Sequence, residues 1–124
     1  MEIIDRTTRR VTETPNAVMT TLASPTLGGA TRSLWYVEMR PDAVGPTHAF
    51  DSEVVWSITE GAGLARYDGR ETDLGAGDTV VLPAGKMRQF VGGPSGFRAV
   101  VVAAGAAAVT REDGSDPVVP AWVA

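Results

Sequence analysis

Chemistry in this chain has few places to start. There is one imidazole, His48, one ammonium, Lys86, ten scattered guanidinium groups and no cysteine. With an ordinary pKa of about 6.5, His48 is the natural candidate for moving a proton near neutrality. The lack of cysteine removes disulfides, thiolate zinc sites, iron–sulfur clusters and cysteine nucleophiles together, and a single histidine leaves any metal site poor in nitrogen donors. Gly93-Pro94-Ser95-Gly96 does not satisfy the G-x-S-x-G nucleophile elbow, and His48 would be the only base for it. Gly61-Ala62-Gly63 and Gly75-Ala76-Gly77 lack both a third glycine and a following helix, so they read as hairpin turns and not as dinucleotide-binding loops. The formal charge of −4 and the pI of about 4.9, with no basic stripe, argue against nucleic acid and against anionic membrane as partners. Residues 1–10 show no apolar core of a signal peptide, and the uncharged run 99–109 is too short to span a bilayer. The expectation is a soluble cytoplasmic protein.

The elements that must hold these groups are short. Fourteen glycines and eight prolines in 124 residues punctuate the chain, and no 3.6-residue apolar period persists. Strand-forming runs are read at 18–22, 31–40, 46–50, 53–59, 64–67, 72–74, 79–82, 87–91 and 97–103, with turn signals every eight to twelve residues or so. Asp68-Gly69 suits the positive φ angles of a two-residue hairpin. The pattern predicts one all-β domain, with a barrel core at about 18–104. The tail, 105–124, carries a flexible stretch at 113–117 and an apolar anchor at Trp122. A chain of this length hides roughly two thirds of its unfolded surface and needs no covalent staple.

Residues 77–92, GDTVVLPAGKMRQFVG, resemble the second signature of the cupin superfamily. Gly77, Pro83 and Gly85 match at the family's spacing, with Arg88 where the family has histidine and Gly92 where it has asparagine. The first signature is eroded. His48 and Gly61 match, Asp42 replaces the opening glycine and Phe50 the second histidine. Val54 takes the glutamate position, Glu53 being one residue off and therefore on the other face of a strand. The resemblance implies a single-domain jelly-roll barrel. It also implies that the usual metal cage of three histidines and a glutamate has become His48, Phe50, Val54 and Arg88. Phenyl and isopropyl groups donate no lone pair, and guanidinium stays cationic. No metal and no cofactor are expected, and metal-dependent dioxygenase chemistry ranks below other readings.

Placed on that barrel, period-2 counting puts Val54, Trp56 and Ile58 on the face of the lost ligands, and Phe90 beside Arg88. Trp35, Val37 and Met39 form an apolar face on an earlier strand. The expected pocket is lined by Trp35, Met39, Phe50, Val54, Trp56 and Phe90, with His48 and Arg88 as its polar, candidate catalytic groups; the alternative is a barrel filled solid. Arg88 inside a barrel needs an anion, whether Glu38, Glu53 or a ligand's carboxylate, phosphate or enolate. Two function classes stand side by side, next to the reading of an ordinary structural dimer whose pocket is vestigial. One is a metal-independent isomerase, epimerase, cyclase or dehydratase acting on a small organic molecule, since cupin-fold sugar epimerases work without metal and small cupins occur in polyketide tailoring. The other is a module that binds or senses a small molecule without turnover. Small cupins commonly dimerise, so a homodimer is expected, with the N-terminal strand and the Trp122 tail as the segments that cross. The alanine- and arginine-rich composition suggests a GC-rich bacterial genome.

Overall fold

Ala17–Ala23 and Arg32–Met39 are strands whose alternate positions are buried, Ala17, Met19 and Thr21 in the first and Ser33, Trp35, Val37 and Met39 in the second. The computed structural model describes residues 1–124 and contains nine strands and no helix. In chain order these are β1 (Arg10–Glu13), β2 (Ala17–Ala23), β3 (Arg32–Met39), β4 (His48–Phe50), β5 (Val54–Tyr67), β6 (Arg70–Gly75), β7 (Thr79–Leu82), β8 (Arg88–Ala104) and β9 (Val109–Arg111). Every pairing between named strands is antiparallel. No helix is long and apolar enough to cross a membrane.

Two long strands make the barrel. The first half of β5 and the second half of β8 lie in a layer ordered β1-β2-β3-β8-β5-β7, while their other halves lie in a second layer ordered β9-β4-β8-β5-β6. The strands pass from one layer to the other at a glycine corner. Gly61 (φ +76°) and Gly96 (φ +69°) touch there: a Cβ on Gly61 would strike the Gly96 carbonyl oxygen, and one on Gly96 would strike that of Met39. Gly61-Ala62-Gly63 is thus a bend inside β5 and not the expected hairpin turn, and the separate strands read at 87–91 and 97–103 are one strand. Asp68 (φ 52°) and Gly69 (φ 72°) do form the expected two-residue hairpin between β5 and β6.

The second signature has a structural job in each matched residue. Gly77 (φ +95°) donates its N–H to the Ile58 carbonyl at 2.8 Å, fixing the start of β7, and Asp78 accepts from the Gly75 N–H through its carboxylate at 2.8 Å. Gly85 (φ +75°), beyond Pro83, donates to the Phe50 carbonyl at 2.8 Å and so ties the turn after β7 to β4.

Inside the first layer the register places Trp35, Val101 and Trp56 side by side across β3, β8 and β5. The small residue between two indoles lets both rings pack, and Val101 is wholly buried. The ends of the chain close the structure. β1 pairs with β2, β9 with β4, and Val109 bridges to Val118. The carbonyls of Trp122, Val123 and Ala124 accept hydrogen bonds from the fully buried hydroxyls of Thr21, Ser33 and Ser24. Val123, buried completely, is the innermost side chain of this segment, and Trp122 packs against the core from its edge.

Candidate functional site

A cavity of about 360 Å³ opens at one end of the barrel. Its walls come from β2 (Ala17, Met19), β3 (Trp35, Val37, Met39), β5 (Trp56), β8 (Phe90), the segment before β4 (Gly45, Pro46) and the tail (Trp122). All three tryptophans of the chain face it. The Trp56 and Phe90 rings stack at 4.1 Å with 20° between their planes, giving the cavity a flat aromatic wall. The Trp56 indole N–H is buried and has no acceptor in the protein. Thr14, Asn16, His48 and Arg111 supply the remaining polar side chains at the rim.

His48 begins β4, where three residues are enough to present His48 and Phe50 on one face. Its Nδ1 lies 2.9 Å from the Pro46 carbonyl. A carbonyl only accepts, so Nδ1 carries the proton, and in the neutral ring Nε2 keeps the lone pair. Burial pushes the His48 pKa down to about 4; the Pro46 hydrogen bond opposes this, and the charges of Arg88 and Arg111 add to it. At neutral pH the ring is uncharged, with Nε2 making no hydrogen bond inside the protein.

Arg88 opens β8 directly opposite His48, and Arg111 of β9 lies opposite His48 on the other side. Directly paired residues share a face, so the register sets Arg88, His48 and Arg111 in one row. Arg88 is only 1% exposed, and none of its three guanidinium nitrogens has a partner. Its central carbon lies 4.9 Å from the centre of the Phe50 ring, which also meets the His48 ring edge-on at 5.7 Å. Burial lowers the Arg88 pKa to about 10, which leaves it a cation at pH 7. The carboxylates that sequence reasoning offered are not its partners: Glu38 pairs with Arg98 at 3.3 Å, and Glu53 is exposed without an ion pair.

Of the expected pocket residues, Trp35, Met39, Trp56 and Phe90 line the cavity. Phe50 instead lines a neighbouring cavity under the tail, which shares Pro46, His48, Arg111 and Trp122 with the first. Val54 is fully buried in the core and lines neither. Arg88 lies against the Phe50 ring, lines neither of these cavities, and borders a separate open depression with Tyr67, Asp68 and Glu71. Arg111 escaped the sequence reading because it lies among the exposed residues of the tail. Only its register against His48, a pairing more than sixty residues apart, brings it to the rim. A divalent metal requires several converging nitrogen, oxygen or sulfur donors. No group of three histidine, cysteine, aspartate or glutamate side chains gathers anywhere in the chain, and His48 stands alone among Phe50, Val54 and Arg88. The residues present do not fit a metal ion.

A two-layer jelly roll with a cavity at its open end and the signature turns at Gly77 and Gly85 define a small cupin. Residues 36–111, more than half of the chain, match the family described as the AraC-like ligand binding domain, and the protein belongs to that family. Among solved structures it is similar to the polyketide cyclase RemF from Streptomyces resistomycificus, with 26% identity, 84% of this chain and 79% of that one covered, and a TM-score of 0.70. It shares its fold with KdgF from Halomonas sp. (16% identity, 91% and 97% covered, TM-score 0.70). The same holds for the DMSP lyase DddQ from Ruegeria pomeroyi DSS-3 (18% identity, 89% and 64% covered, TM-score 0.74). A comparison with curated protein sequences gives no match.

Proposed function

We propose that the protein binds a flat, largely apolar organic molecule in the barrel cavity without a metal ion, holding it between the Trp56–Phe90 wall and Trp35. The observation that carries this reading is the cavity itself: about 360 Å³, aromatic on several sides, with an unpaired indole N–H in the wall and a neutral imidazole at the rim. Family membership supports a ligand-binding role. The polar groups suit recognition better than acid–base work, because a histidine held near 4 is a weak base at neutral pH.

The test uses the protein's own tryptophans. Titration with the neutral aromatic alcohol 2-naphthylmethanol is expected to change their emission saturably, since every indole lies on the cavity. Ala17→Leu, which adds bulk to the wall, is expected to weaken that binding at least tenfold. Emission unchanged up to the solubility limit of the probe would remove the reading.

A catalytic reading is favoured by the likeness to a polyketide cyclase at 26% identity and by the free Nε2 of His48. It requires conversion of a bound substrate that disappears in His48→Asn while binding persists. The proposed assembly is a homodimer, motivated by the open edges at β1 and β7, where Val11 and Val81 are exposed. A single monomeric species in sedimentation velocity contradicts it.

A further inference from the structure

Every guanidinium–carboxylate pair in the protein lies at the surface: Arg40 with Glu13, Arg66 with Glu71, and Arg98 with Glu38 and Glu60. Arg88, the one fully buried arginine, has no such partner and no hydrogen-bond acceptor at any nitrogen. Arg111, its counterpart across His48, also makes no ion pair, although the chain carries four more acidic than basic groups. Asp113 and Asp116, exposed on the tail beside Arg111, are the only carboxylates lining this end; neither forms an ion pair with it, although hydrogen bonds from Ser115 and, less, the Arg111 charge hold the Asp113 pKa below its ordinary value. A third donor, the Trp56 indole N–H, waits unpaired in the wall.

Removing a cation from water without an opposite charge costs several kcal/mol in general, and nothing inside this protein compensates Arg88 beyond the face of the Phe50 ring. The Phe50 ring against which its guanidinium lies also lines the adjoining cavity under the tail, which places its charge near that end of the barrel. We infer that the ligand of the cavity is an organic anion, a flat apolar body bearing a carboxylate. Its charge sits at the rim beside Arg111, in the field of the buried Arg88, while its rings lie on Trp56 and Phe90. This rests on the ligand-binding reading above and adds the ligand's charge and its orientation. Arg111 meets the carboxylate at the rim, and Arg88 acts on it from its place against the Phe50 ring.

The experiment compares two probes of the same shape, 2-naphthoate and the neutral 2-naphthylmethanol, by tryptophan emission on the full chain. The anion is expected to bind at least tenfold more tightly at low salt, with the margin shrinking as sodium chloride is added. Arg111→Gln and Arg88→Met are each expected to cut the margin to threefold or less. Arg111 is exposed, so its variant tests the inference whatever Arg88→Met does to folding. Equal affinities, tighter binding of the alcohol, or a margin that survives in Arg111→Gln overturns the anion assignment while leaving a cavity that binds neutral molecules. Failure of both probes to bind removes the ligand-binding reading, and this inference falls with it.

Discussion

Burial lowers the His48 pKa to about 4, while the Pro46 carbonyl pulls it upward and the Arg88 and Arg111 charges reinforce the depression. The unfolded chain has no such bias, so its histidine takes up a proton at an ordinary value of about 6.5. Between those two values the unfolded state binds a proton that the folded state refuses. Stability is therefore complete above about pH 6.5 and is lost as pH falls toward 4, by roughly 3 kcal/mol if the full difference is expressed. His48→Asn keeps a side-chain N–H for the Pro46 carbonyl and does not titrate. Urea unfolding from pH 7 to pH 4 is expected to show a shallower decline for this variant than for the parent; parallel curves would mean that the imidazole is not excluded from protonation. Arg88 belongs to the same argument with the opposite sign of consequence. Exchanging an unpaired buried cation for an apolar chain of similar length is neutral or stabilising where the charge has only a structural role to play. On the ligand reading proposed above, that disadvantage is offset by the charge of a bound anion.

At the level of elements, two devices shape the site, and they differ in how far the sequence reveals them. The turns flanking β7 are legible because Gly77, Pro83 and Gly85 each perform a local backbone task at fixed spacing. The glycine corner is half legible. Glycine runs at 61–63 and 92–96 announce irregular backbone, but reversal and bending look alike until Gly61 is seen to rest against Gly96. The clasp on residues 122–124 is not legible at all, since Thr21, Ser24 and Ser33 read as ordinary polar residues and their partners lie 90–101 residues away. Those hydroxyls hold Trp122 in the wall of both cavities. Thr21→Val and Ser33→Ala each strand a carbonyl of the tail, at a cost of about 1–3 kcal/mol where that group stays buried. The double variant is expected to lower stability accordingly and to shift tryptophan emission to the red as Trp122 meets water. Unchanged emission in a destabilised double variant would show that the tail stays seated without its clasp.

For the molecule as a whole, the cavity is not an appendage that can open while the rest stays folded. Its walls are drawn from β2, β3, β5, β8, the approach to β4 and the tail, so they assemble only when both layers and the chain's last residues are in place. This is also why a linear reading could find Trp35, Met39, Trp56 and Phe90 as candidates yet misplace Phe50 and Val54. Inward alternation is a property of each strand, whereas facing the cavity rather than the solid core depends on which end of the barrel a position occupies. A ligand seated in such a space binds the folded chain and not the unfolded one. Its binding therefore adds to stability: at a hundredfold excess over its dissociation constant, about 2.7 kcal/mol. For a domain of this size that corresponds to a rise in Tm of roughly 10 °C. Differential scanning calorimetry with saturating 2-naphthoate is expected to show one transition displaced upward by that order, and a much smaller displacement in Ala17→Leu at the same probe concentration. An equal rise in the filled variant would place the probe outside the barrel, on a surface indifferent to Ala17.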